Sequence, residues 1–265
     1  MSVVARHSLR KRFGQHFLHD PDIIARIIAA IHPKPGECLV EIGPGLGALT
    51  RPLLQAVGEL DVVELDRDLL APLRSRCAGL GILRIHQADA LEFNFAALHG
   101  HGPRLRVAGN LPYNISTPLL FHLLTQAEHL HDLHLMLQQE VVERMAANPG
   151  DPAYGRLSVM LQYRCRVECL FTVGPEAFRP PPKVRSAVVR LVPRETLPVV
   201  VQDEWRFAEV VRQAFSQRRK TLRNSLNGLL DAAHIEAAGV DPGARPETLD
   251  LAAFVALSNV LPIRS

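Results

Sequence analysis

From residue 36 to about residue 138, short apolar runs alternate with longer stretches in which leucines recur every three or four positions. Cys38–Ile42, Leu60–Glu64, Ile82–His86, Leu105–Gly109 and Leu133–Gln138 each read as buried strands. Between them, Leu49, Leu53, Leu54, Leu69, Leu70, Leu73, Leu119, Leu120, Leu123 and Leu124 keep helical spacing. Alternation of this kind predicts an α/β fold, a doubly wound parallel sheet with helices on both faces. Ahead of it, residues 21–31 predict a helix capped by Asp20, with Pro21 at the first position, where no N–H is needed.

The texture changes after residue 150. Asn148-Pro149-Gly150-Asp151-Pro152 is a turn cluster, and residues 167–173 and 187–192 read as two further strands. They flank Phe178-Arg179-Pro180-Pro181-Pro182-Lys183, a stiff loop that can continue neither element. Residues 195–198 read as a junction, and beyond Asp203 only helices are expected, over 204–216, 219–230, 231–238 and 250–260. Two domains follow: an α/β domain over 1–194 and a small all-helical domain over 195–265.

Bulk composition removes several classes. With 47% hydrophobic and 22% charged residues the chain is globular. No apolar run approaches the roughly 18–20 residues of a membrane span, and the start MSVVARHSLRKRF lacks the apolar core of a secretion signal. Cys165-x-x-x-Cys169 has no matching second pair, so no zinc site is expected; with Cys38 and Cys77 it reads as reduced thiols in a cytoplasmic protein. His99, His101, His129, His131 and His134 fall in or beside expected loops and read as surface residues, not metal ligands.

Charge adds a division that the net value of +3 conceals. Residues 6–12, 151–194 and 204–223 together carry +13, and the rest of the chain −10. Blocks of this kind fit an anionic partner for the basic segments.

The chemistry begins at Val40-Glu41-Ile42-Gly43-Pro44-Gly45-Leu46-Gly47, a strand running into a glycine-rich turn and then a helix. Glycines there let backbone approach a ligand closely. The spacing is G-x-G-x-G, not the G-x-G-x-x-G of dinucleotide sites. Glu64 ends the second strand, where its carboxylate can accept both ribose hydroxyls, and Asp89 follows the third, placed for an adenine amino group. Two acids, with no Lys or Arg in residues 41–50, suit a nucleoside without phosphates. S-adenosylmethionine is such a molecule, and its sulfonium is positive.

The fourth strand ends in Asn110-Leu111-Pro112-Tyr113. An exocyclic adenine amine is a poor nucleophile because its lone pair is delocalised into the ring. The side-chain oxygen of Asn110 and the Leu111 carbonyl can each accept an amine N–H and favour a tetrahedral nitrogen. Pro112 stiffens the turn, and Tyr113 offers a face on which an extruded base can stack.

On these residues the chain resembles the bacterial small-subunit ribosomal RNA adenine dimethyltransferases. The matching stretches are Arg12–Leu18 (RFGQHFL), Glu41–Gly47, Asn110–Thr117 (NLPYNIST), Phe178–Ser186 (FRPPPKVRS) and Phe215–Leu226 (FSQRRKTLRNSL). The resemblance implies a seven-stranded, Rossmann-like methyltransferase domain followed by a small helical domain. It also implies a monomer that dimethylates N6 of two adjacent adenines near the 3′ end of 16S RNA in the assembling 30S subunit. Cofactor contacts then fall on His16, Leu18, Gly43, Gly45, Glu64, Asp89 and Asn110, with His16 standing where many members of the family have asparagine. An aromatic clamp on the target base falls on Tyr113 and Phe178. Arg10, Lys11, Arg12, Lys183, Arg218, Arg219, Lys220 and Arg223 become contacts to RNA phosphates. Arg219, Lys220 and Arg223 are expected on one face of a helix whose other face is Leu222, Leu226 and Leu229. Two alternatives remain open: a large-subunit RNA adenine methyltransferase of the antibiotic-resistance type, and a ribosome-assembly factor with secondary catalysis.

Overall fold

The computed structural model describes residues 16–99, 102–217 and 219–260. Arg10, Lys11, Arg12, Arg218 and His101, singled out above, lie outside the described residues. The chain divides into two compact units. One comprises the described residues up to Val142 together with Glu168–Pro193; the other comprises Glu143–Val167 and the described residues from Arg194 onward. A single boundary at 194/195 therefore omits one feature, since residues 143–167 group with the C-terminal helices.

The first unit opens with β1 (Phe17–Leu18) and α1 (Pro21–Ile31). Asp20 Oδ1 accepts the N–H groups of Asp22 (2.9 Å) and Ile23 (3.1 Å), the cap that the sequence predicts. Then follow β2 (Leu39–Ile42), α2 (Thr50–Val57), β3 (Glu59–Glu64), α3 (Arg67–Cys77) and β4 (Ile82–Gln87). The chain continues through α4 (Ala96–His99), β5 (Leu105–Asn110), α5 (Ser116–Leu124) and β6 (Leu130–Gln138). After α6 (Gln139–Ala146) and α7 (Arg156–Arg164) come β7 (Cys165–Val173), β8 (Phe178–Arg179) and β9 (Ser186–Pro193).

Seven strands form one sheet in the order β4-β3-β2-β5-β6-β9-β7. β2 through β6 pair in parallel, and β9 is antiparallel to β6. The sheet is mixed: β9 follows β7 through a connection that holds no α-helix, the element that usually carries a parallel crossover. Strand order reverses at β2: β3 and β4 lie on one side of it, β5 and β6 on the other. A crevice opens at the carboxyl ends of β2 and β5, the usual ligand site of such sheets.

β6 starts at Leu130, earlier than the apolar pattern indicates, because His131, Asp132 and His134 interrupt it. Asp132 can be buried (1% exposed) because Arg106 Nε and Nη2 reach its two oxygens at 2.8 and 2.9 Å. Arg106 also bonds Glu37 (2.7 Å) and the Ile31 carbonyl at the end of α1 (2.6 Å). His134 corrects its assignment to the surface: it is 3% exposed, and burial pushes its pKa down to about 4. The backbone of β6 hides it beside the Asp132 carboxylate, 3.9 Å away.

In the second unit, α8 (Glu204–Ala214), α9 (Leu222–Ser225), α10 (Ala232–Ala237) and α11 (Leu251–Asn259) surround Tyr163, Phe207, Leu222, Leu226 and Phe254. The helix expected over 219–230 is corrected to the single turn α9. Its first N–H groups, from Leu222 and Arg223, bond the carbonyls of Ala244 (2.9 Å) and Pro242 (3.0 Å), while Gly228 takes a φ of +84°. Arg219 and Lys220 consequently sit in the turn before α9 and do not share a helical face with Arg223; all three are exposed. Among the described residues, no helix is long and apolar enough to cross a membrane.

Candidate active site at the carboxyl ends of β2, β3 and β5

β2 is buried along its length and delivers the glycine-rich turn to the crevice. Gly45 has a φ of +56°, and a Cβ there would come within 3.2 Å of the Phe17 ring, so both backbone and packing require glycine. At Gly109, opposite Ile42 on β5, a Cβ would lie 2.6 Å from the Ile42 carbonyl; this glycine lets the two strands close up behind the turn. Glu64, at the end of β3, accepts the Gly45 N–H on Oε2 (3.3 Å) and the Asp66 N–H on Oε1 (2.8 Å). Burial raises its pKa, and those two N–H groups pull it back.

Asn110 ends β5, and its Nδ2 donates to the His16 carbonyl at 3.0 Å. That bond fixes which end of the amide is which, and leaves Oδ1 as the acceptor on a residue that lines the cleft. The Pro112 carbonyl accepts from the Ile115 N–H (3.2 Å) and the Ser116 hydroxyl (3.0 Å), folding the Asn-Leu-Pro-Tyr segment into a turn. Tyr113 is half-buried, its hydroxyl 2.7 Å from Ser186 Oγ and its ring centroid 5.6 Å from that of His16. Burial raises the Tyr113 pKa, and the Ser186 hydrogen bond lowers it in part. His16 Nδ1 lies 2.7 Å from the Pro180 carbonyl, which can only accept, so Nδ1 carries the proton.

The structure brings His16, Leu18, Gly43, Gly45, Glu64 and Asn110 to one cleft, together with Leu111, Pro112 and Tyr113. The cleft measures about 710 Å³ including its open mouth. Asp89 does not line it; half-buried beyond β4, its Oδ1 accepts the Leu91 N–H at 2.9 Å. Phe178 is not brought into it either, which corrects the expected clamp. It pairs with Leu18 across the β1/β8 ribbon and is 2% exposed in a core with Ile27, Val173 and Ala177. The ring beside Tyr113 is His16. Lys183 is exposed on the loop between β8 and β9.

Two residues escape the sequence reading: Glu41 in the cleft wall and Ser186 behind Tyr113. Glu41, in the middle of β2, is 2% exposed, and its Oε2 has no hydrogen-bond partner among the described residues. Burial pushes its pKa up to about 8; the Thr50 hydroxyl pulls it back, and the Glu64 carboxylate adds to the rise. An acid inside an otherwise apolar strand, Leu-Val-Glu-Ile, was the available signal. Ser186, wholly buried under the Tyr113 hydroxyl, ends the FRPPPKVRS stretch, but nothing there points to Tyr113. With Glu64 in its wall and no lysine or arginine among the described residues lining it, the cleft fits a cationic nucleoside and disfavours a phosphorylated one.

The chain matches the family model described as ribosomal RNA adenine dimethylase over residues 6–262. It is 62% identical to the ribosomal RNA small subunit methyltransferase A of Pseudomonas putida, over 98% of each chain. With the protein of the same description from Hydrogenovibrio crunogenus it shares 55% identity, over 97% of this chain and 98% of the relative. Among solved structures, a dimethyladenosine transferase from Plasmodium falciparum superposes with a TM-score of 0.78 at 28% identity, covering 91% of this chain and 96% of that one. The 23S rRNA methyltransferase ErmE gives 0.71 at 26% identity, covering 92% and 99%.

Proposed function

Since the chain belongs to the ribosomal RNA adenine dimethylase family and is an S-adenosylmethionine-dependent methyltransferase, we propose that it dimethylates N6 of two adjacent adenines near the 3′ end of 16S RNA. The observation that carries this reading is the anchored amide of Asn110, held through Nδ2 so that Oδ1 is left to accept. Bound in the cleft, S-adenosylmethionine supplies a methyl group activated by its sulfonium.

The protein's own residues act on the amine. Asn110 Oδ1 and the Leu111 carbonyl accept its two N–H bonds and draw the nitrogen lone pair out of conjugation with the ring. Tyr113 stacks on the extruded base, while Phe178 supports the site from the core. As the nitrogen takes the methyl group it becomes an ammonium acidic enough to lose its proton to water, so no side-chain base is needed. For the cofactor, Glu64 accepts the ribose hydroxyls and His16, Leu18, Gly43, Gly45 and Asn110 line the cleft, while Asp89, past the end of β4 and outside that lining, is assigned the adenine amino group on the strength of the sequence.

Lys183, Arg219, Lys220 and Arg223 are exposed cations for RNA phosphates. Arg10, Lys11, Arg12 and Arg218 join them on the strength of the sequence. The substrate is the 16S RNA of an assembling 30S particle, which puts the protein, as a monomer, in the cytoplasm with the ribosomes and in ribosome biogenesis. The relatives described as small-subunit enzymes, at 55–62% identity, favour this substrate over the large-subunit alternative represented by ErmE at 26%. Radiolabelled S-adenosylmethionine offered with undermethylated 30S or 50S particles tests the choice: label enters 30S RNA, and label confined to 50S RNA contradicts it.

A further inference from the structure

The loop between β8 and β9, residues 180–185, is bound at both ends to the two side chains assigned to the target adenine. At its start, the Pro180 carbonyl takes the His16 Nδ1–H at 2.7 Å, and the His16 carbonyl takes Asn110 Nδ2 at 3.0 Å. At its end, Ser186 Oγ meets the Tyr113 hydroxyl at 2.7 Å. Just before that, the Arg185 carbonyl accepts the Gln139 N–H at 3.0 Å. Pro180, Pro181 and Pro182 stiffen the span. Arg179, immediately before it, and Lys183 and Arg185 within it are exposed.

We propose that this cationic loop is a phosphate-engaging clip for the RNA on either side of the target base, and that Ser186 and His16 are positioning residues that couple it to Tyr113 and Asn110. This deepens, and rests on, the RNA adenine methylation proposed above.

The physical case for Ser186 is the sharper. Its side chain is completely buried, so the hydroxyl has one place to be, and it bonds the phenol of a tyrosine whose ring is half-open to the cleft. A ring held only by packing turns about its Cβ–Cγ bond; a ring held at the hydroxyl as well presents one fixed plane to a stacking base. For His16 the Pro180 carbonyl, which can only accept, holds the Nδ1–H and so fixes the ring beside Tyr113. Arg179, Lys183 and Arg185 act as point charges and forks on phosphate, contributing affinity without reading sequence.

The test is a double-mutant cycle on steady-state methylation of undermethylated 30S particles. Ser186→Ala and Tyr113→Phe are each expected to lower kcat roughly ten- to hundredfold with little change in KM, and the double variant to lose no more than either single one. Ser186→Thr restores the hydroxyl and most of the rate, and serves also if the alanine variant folds poorly. His16→Ala lowers kcat, and His16→Asn, which keeps a side-chain N–H, recovers part of it. Replacing Arg179, Lys183 and Arg185 together by glutamine raises KM for the particle and leaves cofactor affinity, read by calorimetry, unchanged. Additive losses in the cycle, an unchanged kcat for Ser186→Ala, or a failure of threonine to rescue would overturn the proposal. Wild-type protein that transfers no methyl group to 30S RNA would overturn the functional reading itself, a result distinguishable from an active wild type with an additive cycle.

Discussion

Glu41 and Glu64 face one cleft from neighbouring parallel strands, and only Glu64 has its oxygens bonded to backbone N–H groups. Burial pushes Glu41 up to about 8 from an ordinary 4.5, and the charge of Glu64 pushes the same way. A folded-state pKa above the unfolded one means the folded chain keeps a proton that the unfolded chain releases. Stability from this group is therefore complete below about pH 4.5 and lost as pH rises to about 8. Glu41→Gln removes that loss. In urea titrations the variant and the wild type should converge at pH 4.5, and at pH 8.5 the variant should be more stable by a few kcal/mol. Equal stability differences at both pH values would show that the folded protein leaves the Glu41 pKa at its ordinary value.

Asp132 and Arg106 make the opposite kind of pair, a buried charge that is fully matched. Burial alone would raise the Asp132 pKa, but the two bonds from Arg106 hold it below its ordinary value. Asp132→Ala takes away the buried carboxylate and leaves Arg106 with Glu37 and the Ile31 carbonyl alone, and is expected to cost about 3 kcal/mol in chemical denaturation. Replacing both residues together, Asp132→Leu with Arg106→Met, should recover much of the loss. A double variant as unstable as the single one would assign the cost to altered packing.

His134 supplies a pH effect of the reverse sign. Its folded pKa, about 4, lies below the ordinary 6.5, so the stability it contributes is present above pH 6.5 and is lost as pH falls toward 4. Nuclear magnetic resonance of the imidazole protons should show it neutral at about pH 5.5, where a freely solvated histidine is largely charged. Titration of His134 together with the solvated imidazoles would contradict its burial.

Asn110→Asp preserves size and removes the donor to the His16 carbonyl. Two acceptors then meet at 3.0 Å, and the side chain loses its fixed orientation. The expected loss in kcat is about 10²–10³-fold, the scale of deleting one preorganised group, with cofactor affinity falling far less in calorimetry. An aspartate variant within a few-fold of wild-type rate would mean that amide orientation is irrelevant to transfer.

Neutralising Lys183, Arg219, Lys220 and Arg223 should weaken RNA binding and reduce the slope of log affinity against log salt by about 0.7–0.9 for each phosphate no longer neutralised. Filter-binding titrations across salt concentrations measure this directly. A slope unchanged in the fourfold variant would take these side chains out of the interface.

The placement of the cleft residues is legible because strand ends are punctuated. Gly43, Glu64 and Asn110 each follow an apolar run, and a parallel sheet aligns the ends of its strands. What could not be read depends on tertiary pairing. Phe178 looks like a clamp beside its prolines, but the β1/β8 ribbon turns it into the core. Leu222, Leu226 and Leu229 keep helical spacing, yet the carbonyls of Pro242 and Ala244 take the N–H groups at the start of α9 and Gly228 ends the segment. β6 was read short because Asp132 is polar in letter and buried in fact, a distinction visible only once Arg106 stands opposite. Ser186 is legible only as the end of the FRPPPKVRS stretch, since its bond to Tyr113 spans 73 residues of chain.

The most direct measurement is mass spectrometry of 16S RNA fragments after undermethylated 30S particles are incubated with the protein and S-adenosylmethionine. Two neighbouring adenines near the 3′ end should each gain two methyl groups, and an Asn110→Ala variant should leave both unmodified. Methylation elsewhere in the RNA, a product that stops at one methyl group per adenine, or undiminished product from the Asn110 variant would contradict the proposed reaction.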